Sequence, residues 1–208
     1  MNILITGSKG QLGSEIQRLA EGWDNEDFHF MFTDKEELDI TDRNAVYEFV
    51  ELNNISIIVN CAAYTAVDKA EKDAELCELL NHVAPSYLAE AIDNMGGSMI
   101  QISTDYVFDG KNYRPYTEND LTNPQGVYGR TKLAGEESVI NNCAKSMIIR
   151  TSWLYSTFGN NFVKTMIRLG KERKELGVVF DQIGTPTYAA DLAQAIFTVI
   201  QTPVWRPG

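Results

Sequence analysis

Residues 2–19, NILITGSKGQLGSEIQRL, decide how this chain is read. Asn2 to Thr6 is a short apolar run ending in Gly7-Ser8-Lys9-Gly10-Gln11-Leu12-Gly13. Leu12, Ile16 and Leu19 then recur at helical spacing. Strand, glycine loop, helix is the context that gives a glycine pattern physical meaning. Gly7 allows a tight turn, Gly10 lets a pyrophosphate approach bare backbone, and Gly13 lets the helix pack on the strand. The helix N-terminus then faces the anion. The spacing is G-x-x-G-x-x-G rather than G-x-G-x-x-G, and an ordinary turn can also hold such glycines. The flanking strand and helix favour a dinucleotide site.

Outward from this unit the alternation repeats. Phe28 to Thr33 reads as a second strand ending at Asp34, which lies 21 residues past Gly13, where a ribose-binding carboxylate is expected. Lys35 beside it leaves tolerance of a 2′-phosphate open. Thr41 or Asp42 suits the cap of a helix carrying Val46, Phe49 and Val50; for Asp39 a surface turn competes with a ligand contact. Ile57 to Val59 has the fully apolar character of a buried parallel strand. It leads into Asn60-Cys61-Ala62-Ala63-Tyr64-Thr65, where small side chains let a flat ring or ribose approach the backbone.

A long helix is expected from about Asp73 to Met95, with Leu76, Leu80, Val83, Tyr87, Leu88 and Ala91 on one stripe. Pro85 predicts a kink or a break in it, and Gly96-Gly97 ends it. Strands at Met99–Ile102, Met147–Arg150 and Val178–Phe180 follow. Helices are expected to open at Tyr128, to run from the Gly159-Asn160-Asn161 turn to about Lys174, and to span Ala190–Gln201, with a turn at Gly184–Thr187. The pattern predicts an α/β doubly wound parallel sheet, a Rossmann-type NAD(P)-binding domain. Residues 1–150 form the dinucleotide-binding domain. Residues 151–208 supply part of a small C-terminal substrate domain plus returning Rossmann elements, and the stop at Pro207-Gly208 reads as a truncation.

The chemistry concentrates in residues 99–135, MIQISTDYVFDGKNYRPYTENDLTNPQGVYGRTKLAG. Thr104 and Asp105 end a strand, where hydroxyls face the crevice in which open α/β sheets hold ligands. Tyr128 and Lys132 are one helical turn apart on one face, so the ammonium is expected near the phenol, biasing it toward ionisation. Hydroxyl, phenol and ammonium make a proton-handling site for a carbonyl or alcohol. Alone, a Tyr/Lys pair at this spacing also fits an exposed helix face.

Composition bounds the partners. The chain has 208 residues, 44% of them hydrophobic, enough for a sizeable core. A net charge of −11 repels a phosphate backbone and argues against nucleic acid. Cys61, Cys77 and Cys143 lack metal or redox spacing and fit reduced thiols. With no apolar run near the ~18 residues of a membrane span, a soluble cytoplasmic protein is expected, with no membrane partner.

The glycine loop, Thr104 and the Tyr128/Lys132 pair together resemble an extended short-chain dehydrogenase/reductase. NCAAYTAVDKAE (60–71), STDYVFDG (103–110), VYGRTKLAGE (127–136), RTSWLY (150–155) and GNNFVKTM (159–166) are similar to the signatures of the dTDP-4-dehydrorhamnose reductase family within it. The resemblance covers essentially the whole chain and implies reduction of the C4 ketone of a dTDP-sugar by NADPH or NADH. It implies that Gly7, Gly10, Gln11, Leu12 and Gly13 hold the cofactor pyrophosphate, with Asp34, Asp39 and Ile40 near the adenosine. Ala62, Ala63, Tyr64 and Thr65 line the path to the nicotinamide. Thr104 and Asp105 contact the sugar, with Val67, Tyr106 and Trp153 around it. Tyr128 is the implied proton donor, Thr104 polarises the ketone, and Lys132 lowers the Tyr pKa and binds the nicotinamide ribose.

Two rivals stay open. A nucleotide-sugar dehydratase or epimerase recycles its own NAD, but a dehydratase needs an acid/base pair after the strand-end Thr, and here Asp105-Tyr106 follows. A regulatory subunit like that of methionine adenosyltransferase resembles the family without turnover. NADH against NADPH, a homodimer, and a divalent cation, for which no cluster has ligand spacing, are not readable from the sequence.

Overall fold

Five largely apolar runs become strands, the inner three buried on both faces and the two edge strands partly so. They are β1 (Asn2–Thr6), β2 (His29–Thr33), β3 (Ile55–Asn60), β4 (Ser98–Thr104) and β5 (Ser146–Thr151), all parallel, in the order β2-β1-β3-β4-β5. The structure, a computed structural model, describes residues 1–23, 27–178 and 182–202. Most of the expected Val178–Phe180 strand therefore lies outside the described residues.

Successive side chains of a strand point to opposite faces, and β1 shows the consequence. Ile3 and Ile5 enter a core with Ile16, Ile57, Val59, Ile196 and Phe197, beneath α1 (Gln11–Glu21) and α8 (Ala189–Ile200). Leu4 enters the opposite core with Val46, Val50, Ile58, Leu88, Ile92, Met99 and Val139. That face is covered by α2 (Arg43–Leu52), α5 (Ala84–Asn94) and α6 (Val127–Asn142). Asp42 caps α2, its carboxylate accepting from Asn44 N at 2.9 Å and Ala45 N at 3.2 Å. The chain winds to one side of β1 to make β2 and to the other to make β3. The crevice of this switch point opens at the C-terminal ends of β1 and β3.

The expected long helix is more finely divided. After a short α3 (Val67–Ala70), α4 (Ala74–Glu78) passes through a π turn (Leu79–Val83) into α5, and Pro85 sits in the first turn of α5. The missing proline N–H falls where the ladder is already reset. The wide turn changes the helical phase, so Leu76 is exposed and Cys77 is buried instead.

Beyond β5, β6 (Leu154–Tyr155) pairs in parallel with β7 (Thr187–Tyr188), a small second sheet the sequence pattern does not announce. Between them runs the amphipathic α7 (Phe162–Glu172), capped by Asn161, whose side chain accepts from Lys164 N at 2.9 Å. Among the described residues no helix is long and apolar enough to cross a membrane.

Candidate active site

The glycine loop closes the floor of the crevice with bare backbone. Gly7 has φ +63°, and a Cβ there would meet Ala62 N at 2.6 Å. A Cβ on Gly13 would meet Gly7 O at 2.4 Å, so the loop folds back upon the first turn of α1. Gly10, the N-cap of α1, supplies no side-chain cap, which leaves the N–H groups of that turn for an anion. Asp34, just past β2, is fastened to this loop: its carboxylate accepts from Lys9 N at 3.2 Å and Lys35 N at 2.9 Å.

Beneath the crevice a buried polar chain crosses the strand ends. Thr6 Oγ1 donates to Asn60 Oδ1 at 2.6 Å, and Asn60 Nδ2 donates to Gln101 Oε1 at 2.8 Å. Gln101 Nε2 donates to Ile102 O at 3.0 Å, and the same carbonyl accepts from Lys132 Nζ at 2.7 Å. Asn60 Oδ1 also accepts from Ala62 N at 3.1 Å, which orients the alanine backbone lining the cavity. Burial pulls the Lys132 ammonium down to about 8.

Tyr128 comes to Thr104 because α6 sits directly on the turn after β4. A Cβ at Gly129 would lie 2.2 Å from Tyr106 O, and one at Gly135 would lie 2.0 Å from Asn81 O. Only glycine permits these two approaches. Thr104 neighbours the Tyr128 phenol and favours the phenolate, while its own hydroxyl donates to Asp105 Oδ1 at 3.2 Å. Burial outweighs it and pushes the phenol up to about 12, with Asp105 and Tyr106 adding in the same direction. This corrects the expectation that Lys132 draws the phenol toward ionisation: Tyr128 is a neutral acid at neutral pH. Burial also raises Asp105, against the opposing hydrogen bond from Thr104.

Asn81, carried inward by the π turn, fixes the loop after β3. Its Oδ1 accepts from Tyr64 N at 2.9 Å, and its Nδ2 donates to Tyr64 O at 3.1 Å and Thr131 Oγ1 at 3.3 Å. Thr131 Oγ1 in turn donates to Tyr128 O at 3.0 Å.

These elements enclose a cavity of about 900 Å³. Of the residues expected in the site, Gly7, Gly10, Gln11, Leu12, Gly13, Asp34, Ala62, Ala63, Thr65, Val67, Thr104, Asp105, Tyr106, Tyr128, Lys132 and Trp153 line it. Three do not. Ile40 is buried in the core under α2, Asp39 turns its carboxylate onto Thr41 Oγ1 at 2.6 Å, and the Tyr64 hydroxyl donates to Asp73 at 2.7 Å. A second lobe of about 750 Å³ continues past Tyr106, Tyr128 and Trp153 toward Phe108, Tyr116 and Arg150. Trp153 lies between the lobes at φ +48°, a left-handed backbone that is costly for so bulky a residue.

Asn60, Gln101, Asn81, Glu136 and Arg150 escaped the sequence reading. Asn60 and Gln101 had a signal, as polar interruptions of apolar strands. The cavity suits a dinucleotide: its floor is backbone that any Cβ would fill, and the Ser103 and Thr151 hydroxyls that border it are buried with no partner among the described residues. No group of His, Cys, Asp and Glu able to hold a metal occurs among the described residues.

Residues 1–208 match the family described as RmlD substrate binding domain. The dTDP-4-dehydrorhamnose reductase of Escherichia coli (strain K12) is 44% identical over 207 residues, 100% of this chain and 69% of that protein. A crystal structure of a dTDP-4-dehydrorhamnose reductase from Clostridium acetobutylicum superposes with a TM-score of 0.91 at 50% identity, over 96% of this chain and 70% of that one. The Bacillus anthracis enzyme in complex with NADP gives 0.92 at 45%, over 99% and 72%.

Proposed function

The chain belongs to the RmlD substrate binding domain family, and from that premise we propose that it uses NAD(P)H to reduce the C4 ketone of dTDP-4-dehydro-L-rhamnose, giving dTDP-L-rhamnose. The observation that carries this reading is the neutral Tyr128 phenol beside Thr104 in one cavity with a glycine loop whose floor is bare backbone.

Gly7, Gly10, Gln11, Leu12 and Gly13 hold the cofactor pyrophosphate on the first turn of α1, and Asp34 takes a ribose hydroxyl. Ala62, Ala63 and Thr65 form the wall toward the ring. When bound, the reduced nicotinamide supplies the hydride. The chain supplies placement and the proton. Thr104 hydrogen-bonds the ketone oxygen and polarises it. Tyr128 delivers its proton to that oxygen as alkoxide character develops; an alkoxide is the stronger base, so a phenol held at about 12 still donates. Lys132, cationic below about 8, lines the same cavity and is the residue to hold the nicotinamide ribose. Val67, Asp105, Tyr106 and Trp153 hold the sugar, with the indole offering an apolar face. Free cysteines and the absence of a membrane-crossing helix among the described residues support a cytoplasmic setting.

The test is oxidation of NADPH, followed by absorbance, with dTDP-4-dehydro-6-deoxyhexose as substrate. Tyr128→Phe should lose ~10²–10⁴-fold in kcat with cofactor affinity retained. A variant turning over at the parental rate overturns the assignment. A chain that oxidises no NADPH with any keto sugar nucleotide favours the regulatory role.

A further inference from the structure

Lys132 is 3% exposed, and its ammonium donates to a neutral acceptor, Ile102 O, at 2.7 Å. A buried ammonium needs a counter-charge to remain charged. The elements packed around it offer few. From the end of β3 comes Cys61, whose thiol burial pushes up to about 12, and from α4 comes Cys77, hydrogen-bonded with Thr131 and Asn81. From α6 itself comes Tyr128, also neutral at working pH, and one turn further on, Glu136. Asp105, on the turn after β4, acts on the phenol.

Glu136 is 2% exposed, so it shares the same dry environment. Its carboxylate is gripped by Arg150 of β5, with Nε to Oε1 at 3.0 Å and Nη2 to Oε2 at 2.6 Å. The Arg150 guanidinium itself lies over the Phe108 ring, 5.0 Å from its centroid. The bidentate fork fixes the carboxylate on the helix face it shares with Lys132.

We propose that Glu136 is a positioning residue that keeps Lys132 cationic in this closed site, and that Arg150 holds the Glu136 carboxylate where it does so. The proposal rests on the reductase reading only for the use made of that charge. A charge about 6 Å away through an effective dielectric of about 20 favours the ammonium by roughly one to two pKa units, or ten- to a hundredfold in acid dissociation.

Glu136→Gln keeps the shape and still accepts from Arg150, while Glu136→Asp keeps the charge. The first readout is unfolding stability against pH, which needs neither cofactor nor substrate. In the parent chain, stability attributable to Lys132 begins to rise near pH 8, as the folded state sheds its proton. In Glu136→Gln that onset should fall by roughly one to two units, and Glu136→Asp should track the parent. An onset unchanged in Glu136→Gln overturns the proposal. The second readout is kcat/KM against pH with NADPH and the keto sugar nucleotide, whose alkaline limb should move the same way. A shifted stability onset with an unmoved activity limb supports the electrostatic link and counts against a role for Lys132 in turnover. Should Glu136→Gln not fold, Glu136→Gln with Arg150→Met removes both charges; a smaller downward shift is expected, because loss of the Arg150 cation offsets part of the loss of the carboxylate, and its absence overturns the proposal.

Discussion

Gly129→Ala is the sharpest test of how α6 delivers its acid. The new Cβ would sit 2.2 Å from Tyr106 O, against a comfortable separation of roughly 3.5 Å. Backbone stands on both sides, so α6 must withdraw by about 1 Å. Helix propensity favours Ala over Gly by about 1 kcal/mol, while overpacking costs typically ~1–3 kcal/mol; the expected net loss of stability is therefore small, about 0–2 kcal/mol. Catalysis should suffer more. A displacement of about 1 Å at a reacting group can cost ~10²-fold, near 2.7 kcal/mol of transition-state stabilisation, because Tyr128 loses its alignment with Thr104. The assay is kcat for NADPH oxidation beside urea unfolding and NADPH affinity. Gly126→Ala serves as control, since its Cβ would meet only the exposed Glu71 carboxylate, at 3.1 Å. A Gly129→Ala chain with parental kcat would refute the idea that seating on Tyr106 O sets the phenol.

Gly7→Ala meets both a positive φ and the Ala62 backbone; it should destabilise by ~1–3 kcal/mol and weaken NADPH binding, as calorimetric titration would read. Lys132 falls from an ordinary 10.5 to about 8 on folding. Between those values the unfolded chain binds more protons, so the penalty of the buried ammonium is full below pH 8 and is relieved as pH rises toward 10.5. From pH 7 to 10 the parent should therefore gain roughly 2–3 kcal/mol relative to Lys132→Met; parallel denaturation profiles would count against it. Asp42→Ala removes the cap of α2 and should cost about 1 kcal/mol, lowering Tm without altering kcat.

Much of the fold lay open in the sequence because parallel strands must be apolar on both faces and their helices on one. Thr104, Tyr128 and Lys132 were legible through a strand end and a one-turn spacing, both local features. What stayed hidden depends on partners distant in sequence. Gly129 and Gly135 look like poor helix residues until Tyr106 O and Asn81 O are placed against them. The phenol's protonation is hidden because spacing suggests a neighbouring charge but does not reveal burial, and burial is the larger effect here. A uniform helical period puts Leu76 on the buried stripe because it hides a π turn. Asp39 and Ile40 follow β2 closely in sequence, yet the chain has already turned from the crevice toward α2.

The π turn at Leu79–Val83 makes the segment behave like a gear with one extra tooth. Deleting a single residue there would let α4 and α5 mesh as one regular cylinder, well formed by any spectroscopic measure of helicity. That repaired cylinder would turn Asn81 about 100° away from its inward direction. Tyr64 would lose the amide that brackets its peptide, and the wall beside the coenzyme its anchor. Here a flaw in the coil is what keeps two distant pieces of backbone in step.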